Sequence, residues 1–388
     1  MRIVTDQTAL ETLCAEYAQH PFITVDTEFM RERTYWPQLC LVQLARPGDD
    51  PGAAAAIDPM ADGLDLAPLF ALMANPDVVK VFHAARQDVE IFHNLGGVVP
   101  APMFDTQVAA MVCGHGDQVG YETLVKRIAR QPLDKSSRFT DWARRPLSEK
   151  QLVYALGDVT HLRVIYERLA HELKRTGRGA WVAEEMGVLT DPATYENDPE
   201  TAWRRLRCRS TNGRFLAVVQ ALAAWREREA QARDVPRGRI LKDDALLEVA
   251  AARPKSMEDL GALRLLQREG RKPAISEAIL AAVAVGETCP ALAVESDDDQ
   301  GQRPAGASAL TDLLKVLLKA KCDAAGVAQK LVASTADLEA LAGREAPAIP
   351  ALSGWRREVF GADALRLKNG EIALSATPQG VRVVPVAA

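Results

Sequence analysis

Two acids stand inside an apolar run near the start of the chain, F-I-T-V-D-T-E-F-M at 22 to 30. A strand sends alternate residues to opposite faces, so Asp26 and Glu28 share one face while Ile23, Val25 and Phe29 take the other. Such a pair is either solvated on a half-exposed strand or a pair of oxygen ligands for a hard cation. The nine residues alone leave both readings open. Two later stretches bear on the choice. In F-H-A-A-R-Q-D-V-E-I-F, 82 to 92, a strand ends and Asp88 falls in the first turn of the next helix. In Q-L-V-Y-A-L-G-D-V-T-H-L, 151 to 162, Tyr154 and Asp158 are four apart, which puts them on one face of a helix.

The elements that must hold these residues follow from hydrophobic period. Strand-like runs are predicted at 21 to 29, 39 to 45, 53 to 58 and 78 to 84, with helical patterns at about 6 to 19, 66 to 74, 86 to 95, 103 to 113, 120 to 130 and 148 to 171. Short links join the first three strands, predicting a meander, and the fourth is reached across a helix. The result is an α/β domain with a mixed sheet over 1 to 175. A helical connector follows at 176 to 209. Apolar residues then recur at helical spacing, as Phe215, Val218, Val219, Leu222 and Trp225, and predict an all-helical unit at 210 to 290. An acidic, Gly-bearing linker is expected at 291 to 307. A shorter second helical unit, 308 to 388, loosely repeats the order of signals in the first and ends in a possible β-hairpin, with Pro385 confining its strand to an edge.

Bulk properties exclude several classes. A 388-residue chain with 48% hydrophobic and 26% charged residues is that of a globular protein of two to three domains. No apolar run reaches the ~18 residues of a membrane span, and the start M-R-I-V-T-D-Q-T lacks a secretory core, so a cytoplasmic location is expected. Six scattered cysteines offer no C-x-x-C site and fit a reduced compartment. The net charge is −5, yet residues 201 to 272 hold 17 Lys and Arg against 9 Asp and Glu. That basic middle either attracts a polyanion or solvates helix faces.

Taken together, V-D-T-E-F, H-A-A-R-Q-D-V-E and Y-A-L-G-D resemble the three motifs of the DEDD superfamily of 3′-to-5′ exonucleases, in the Tyr-x-x-x-Asp variant, and within it the ribonuclease D family. C-L-V-Q-L-A at 40 to 45, F-D-T-Q-V-A at 104 to 109 and L-D-K-S-S-R-F-T-D-W-A-R-R-P-L at 133 to 147 extend the resemblance. It implies an α/β ribonuclease H-like exonuclease domain with a mixed sheet, followed by two all-helical HRDC-like domains, modules that bind nucleic acid. The first copy carries W-R-E-R-E-A and D-V-P-R-G-R-I; the second has A-G-V-A-Q-K-L there and lacks the proline.

The resemblance also implies the chemistry. Phosphodiester hydrolysis needs an activated water and neutralised phosphoryl and leaving oxygens, which two divalent ions, Mg²⁺ or Mn²⁺, can supply. Asp26, Glu28, Asp88 and Asp158 would hold them, Asp26 as the bridge, while Tyr154 orients the attacking water. Lys135, Arg138, Arg144 and Arg145 form a basic loop ahead of the third motif that would either contact phosphate or be solvated. His83 and His161 are set aside as packed or solvated, Glu90 as solvated, and Tyr35, Trp36 and Trp142 as core before base-stacking residues. The expected activity is 3′-to-5′ exoribonuclease action on RNA, with precursor tRNA as the implied substrate and no obligate protein partner. The alternatives are a DNA 3′-to-5′ exonuclease and a catalytically silent RNA-binding module.

Overall fold

A computed structural model describes the chain apart from residues 51, 133–139, 209, 267–271, 293–305, 346 and 387–388. Lys135, Arg138 and most of the expected acidic linker therefore lie outside the described residues. The N-terminal domain is built from β1 (Arg2–Val4), α1 (Gln7–Tyr17), β2 (Phe22–Met30), β3 (Gln38–Ala45), β4 (Ala54–Ile57), α2 (Ala67–Ala74), β5 (Val79–Phe82), α3 (Arg86–Gly96), β6 (Met103–Asp105), α4 (Thr106–Val112), α5 (Tyr121–Leu124) and the long α6 (Glu149–Thr176).

The sheet order is β1-β4-β3-β2-β5-β6. β2, β3 and β4 form the antiparallel meander, and β1, β5 and β6 pair in parallel with their neighbours. β2 is thus central. One face of the sheet buries Ile23, Val25, Val42 and Leu44 with Leu10, Leu13 and Phe92 of the helices behind it. Across the other face lies α6, whose Leu152, Ala155 and Leu156 pack on Cys40, Leu41 and Ala56. The period-2 reading put Asp26 and Glu28 on a common face correctly, but that face is not open to solvent: Thr24 on it is fully buried. A register shift between Glu28 and Phe29 then ends the regular pairing with β3.

Two short strands differ from the sequence expectation. β1 is only three residues long and carries no readable alternation. The helix expected at 103 to 113 begins with strand β6, because the Asp105 carboxylate caps α4 through the Gln107 and Val108 amides and so ends the strand there. The same carboxylate accepts the amides of Ala84 and Ala85, ahead of α3. α6 starts at a capping box between Ser148 and Gln151 and stops at left-handed Gly177, which fixes where Tyr154 and Asp158 emerge.

After α7 (Gly179–Leu189) come two 3₁₀ turns, Pro192–Thr194 and Pro199–Arg205, and then the first helical unit: α8 (Gly213–Ala232), α9 (Arg237–Ile240), α10 (Asp243–Ala252), α11 (Met257–Gly261) and α12 (Pro273–Thr288). Its core joins Val218, Leu222, Leu246, Val249 and Ile279. The last unit comprises α13 (Ala307–Ala325), α14 (Gln329–Val332), α15 (Thr335–Gly343), α16 (Gly354–Arg356), α17 (Ala362–Lys368) and the hairpin β7 (Ile372–Thr377)–β8 (Gly380–Pro385).

Contacts seat the first helical unit on the exonuclease-like domain and the last one on α7. The loop after β2 sends Tyr35 to the fully buried Glu227 of α8, and its backbone amides at Tyr35 and Trp36 donate to Asp234 at 3.0 Å. Arg237 closes this latch, donating to Glu227 and, at 3.0 Å, to the Tyr35 hydroxyl. The last unit docks through Trp355 stacked on Trp181 at 4.4 Å and Arg356 paired with Glu184 and Glu185. No helix among the described residues is long and apolar enough to cross a membrane.

Candidate active site

Asp26, Glu28 and Asp158 each present a carboxylate oxygen to one point, all within 4.8 Å of one another. β2 supplies the first two and α6 the third. They line a cleft of about 420 Å³ together with Tyr154, Tyr121 and His83. Asp88 stands back from this trio: it is buried, and its carboxylate accepts the hydroxyl of Thr27, on the opposite face of β2 from Asp26. The structure thus gathers three of the four predicted acids directly and holds the fourth one layer behind.

The electrostatics are those of like charges crowded together. Burial first, then the charge of Asp158, raises the Asp26 carboxyl well above the carboxylate range, though the Thr27 amide opposes this. Burial and the neighbouring Asp26, Asp158 and Asp88 push Glu28 the same way, and burial with Asp26 does so for Asp88. Like charges this close can persist ionised only with cations among them. An all-oxygen donor set in a half-open cleft suits a hard divalent ion that keeps water or substrate ligands. The residues therefore fit the metals that the motif pattern implies.

Tyr154 is positioned from behind by Trp142, which is buried against α6 with ring centroids 6.2 Å apart. Trp142 is accordingly core, as its residue type suggested. Arg145 departs from the phosphate-contact expectation. Its guanidinium grips Asp58 through two 2.7 Å bonds and also donates to the carbonyls of Cys40 and Trp142. Those bonds tie the loop before α6 to β3 and to the end of β4, so Arg145 acts as a strut, whereas Arg144 is exposed. Glu90 is not solvated either: it forms a bidentate pair with Arg31, both bonds 2.8 Å, joining α3 to the loop after β2.

Sequence reasoning missed two residues of the cleft. His83 lines the cleft, with Nδ1 3.0 Å from the Thr106 hydroxyl, and burial lowers its pKa. Tyr121 lines it too, its ring 5.5 Å from that of His83. Tyr35 is core as expected, but the core belongs to an interdomain contact. His83 sits beside a motif and was findable; Tyr121 and Tyr35 carry no local signal. A second cleft, about 600 Å³, opens beyond Glu28 and runs past Arg33, Thr34 and Gln38 to Thr140 and Trp142.

Comparison with known proteins bears on what this arrangement does. Residues 1–174 match the family described as 3'-5' exonuclease, and residues 215–283 match the HRDC domain. The chain is 58% identical to the ribonuclease D of Jannaschia sp. over 383 residues, 99% of each chain. It is 51% identical to that of Granulibacter bethesdensis over 98% of this chain and 96% of the relative. Among solved structures, Escherichia coli RNase D, described as an exoribonuclease involved in structured RNA processing, aligns with a TM-score of 0.80 at 31% identity, covering 95% of this chain and 98% of that one.

Proposed function

The chain belongs to the ribonuclease D family, and from that premise we propose that it is a metal-dependent 3′-to-5′ exoribonuclease that releases nucleoside 5′-monophosphates. The observation that carries the site assignment is the convergence of Asp26, Glu28 and Asp158 on one point of a cleft. Two divalent ions, Mg²⁺ or Mn²⁺, would supply charge neutralisation and a nucleophile at neutral pH. Asp26, Glu28 and Asp158 would hold them, with Asp26 shared, and Asp88 would complete the set from its place on Thr27.

The chain's own residues set the rest of the chemistry. A phenol donates a hydrogen bond near neutrality rather than abstracting a proton, so Tyr154 orients the attacking water. Its ring packs against Trp142. The single-stranded 3′ end enters by the cleft beside Arg33 and Thr140, with the exposed Arg144, next in sequence to the lining residue Ala143, as a phosphate contact. The first helical unit, and 308–388 as a degenerate second HRDC-like copy, would hold the structured part of the RNA. Support for the second copy is its opening order of parts: a long helix, a one-turn helix, then a helix of 10 or 9 residues, seen in α8, α9 and α10 and again in α13, α14 and α15. Precursor tRNA is the substrate we propose.

The test uses short RNA and DNA strands and a precursor tRNA, each labelled at the 5′ end, with Mg²⁺ or with chelator. A ladder that shortens from the 3′ end only with metal, faster on RNA than on DNA, is expected. Equal rates on the two sugars would make it a general exonuclease, and RNA binding without cleavage would leave a silent binding protein.

A further inference from the structure

Asp158 can meet Asp26 and Glu28 only if α6 holds its register along β2, yet the three carboxylates repel and push the helix off the strand. Around Asp158, three successive backbone carbonyls are held from outside the helix. The Tyr121 hydroxyl donates to the Asp158 carbonyl at 2.6 Å and reaches the Gly157 carbonyl at 3.1 Å. The Thr24 hydroxyl donates to the Val159 carbonyl at 2.8 Å. These mid-helix carbonyls already serve the helix ladder, so ordinary satisfaction of backbone polar groups does not require the extra donors. Thr24 lies two residues before Asp26 on the same strand face, and Tyr121 opens α5 beside the cleft it lines. One hydroxyl comes from the sheet and the other from across the cleft, so together they fix both the slide and the rotation of this turn of α6.

We propose that Tyr121 is a positioning residue for the metal site, its hydroxyl acting with that of Thr24 to hold the Asp158 carboxylate in register with Asp26 and Glu28. This rests on the reading of the acids as metal ligands. Tyr121 touches the backbone of α6 and needs no contact with the reacting atoms.

The experiment titrates Mn²⁺ into the full-length, RNA-free protein by calorimetry and measures kcat and KM on short RNA at low and saturating Mn²⁺. Tyr121→Phe keeps the ring against His83 and removes only the hydroxyl. Loss of a group that orients a metal ligand typically weakens metal binding by ~10-fold or more. We expect that loss in Mn²⁺ affinity, a matching fall in kcat at low Mn²⁺, recovery at saturating Mn²⁺, and an unchanged KM for RNA. Thr24→Val should follow the same pattern and Thr24→Ser should behave as the unaltered protein. Unchanged Mn²⁺ affinity in Tyr121→Phe and Thr24→Val would overturn the proposal, as would a fall in kcat that saturating Mn²⁺ does not repair. If Tyr121→Phe fails to fold, the contrast between Thr24→Val and Thr24→Ser decides. Absence of Mn²⁺ binding and cleavage in the unaltered protein would instead strike at the metal reading itself.

Discussion

Two regions of the molecule treat their carboxylates in opposite ways. Glu227, fully buried where the first helical unit meets the loop after β2, is surrounded by donors: Tyr35, Arg237 and, at 3.3 Å, Arg205. Burial would raise its pKa, but the hydrogen bonds from Arg237 and Tyr35 outweigh that and hold it below the ordinary carboxylate range. At the cleft, Asp26, Glu28 and Asp158 have one another as close neighbours, and burial and mutual repulsion raise Asp26 and Glu28. A buried charge that the chain itself satisfies is architecture. One that the chain leaves with like charges is held for something the chain does not contain, and stability is given up to keep it.

The largest effect that contrast predicts is at Asp26. Asp26→Asn removes a metal ligand, so cleavage of a 5′-labelled RNA should fall by at least about 10³-fold, the scale seen when a preorganised charge-stabilising group is lost. The same change relieves repulsion, so the metal-free variant should melt at or above the temperature of the unaltered protein. A variant that loses activity and also melts markedly lower would make Asp26 an architectural acid like Glu227 and erase the distinction.

Glu227→Ala should show the reverse pairing of effects. Removing one partner of a buried ion pair costs about 3 kcal/mol or more because the other charge stays behind unpaired, so a large drop in unfolding free energy in urea is expected. Below the transition, cleavage of a short single strand should persist, since no latch residue lines the acid cleft. Tyr35→Phe, which keeps the ring but removes the hydroxyl that donates to Glu227 and accepts from Arg237 and Gln231, should cost less, about 2 kcal/mol. Loss of short-strand cleavage in folded Glu227→Ala would mean that the latch shapes the acid site.

The two sites also differ in how much of them could be read beforehand. The faces that carry the acid site were legible because a strand period and a helical i, i+4 spacing are local properties, and Asp26, Glu28, Tyr154 and Asp158 obey them; that these residues form one site was implied by the resemblance of the motifs. What the period could not reveal was that α6 covers that face, because the cover comes from a helix far along the chain. The latch was illegible for a stronger reason. Asp234 and Arg237 belong to D-V-P-R-G-R-I, read as part of a nucleic-acid module, and nothing in that heptapeptide says that its acid and its first arginine face a tyrosine 199 or more residues earlier. Arg145 teaches the same lesson, since its partner Asp58 is 87 positions away. The helix predicted at 103 to 113 failed locally instead, because one capping aspartate, Asp105, ends a strand and starts a helix within an unbroken apolar pattern.

A smaller effect separates the sites by pH. Glu227 has a depressed folded-state pKa, so its contribution is present above the unfolded carboxylate value, about 4.3, and is lost as pH falls through the folded one. Glu28 has a raised value, about 10, so without metal its contribution is complete below the unfolded value and is lost as pH rises through the folded one. Between those limits the metal-free protein should lose stability with rising pH, and Mn²⁺ should flatten the slope by favouring the charged form. Melting temperatures of the chelated protein and of Glu28→Gln across pH 5 to 9 test this. An identical slope in both would mean that Glu28 does not titrate in that window.

The smallest effect concerns the basic middle, where arginines divide along the same line as the acids. Arg237 and Arg226 are committed inside the fold, to Glu227 and Asp243 respectively, whereas Arg239 and Lys242, on either side of the end of α9, are exposed. The surplus of positive charge in 201 to 272 therefore overstates what a polyanion can meet. Neutralising one cation that pairs with a phosphate of single-stranded RNA lowers the slope of log affinity against log salt by about 0.7. Arg239→Gln with Lys242→Gln should lower that slope by about 1.4 in all and leave unfolding nearly unchanged. Arg237→Gln should lower stability and leave the salt slope of the folded protein as it was. Were the slope to fall for Arg237→Gln and hold for the exposed pair, the latch would be the RNA-facing surface, and the division between charges satisfied inside the chain and charges held for a partner would fail for the cations even where it holds for the acids.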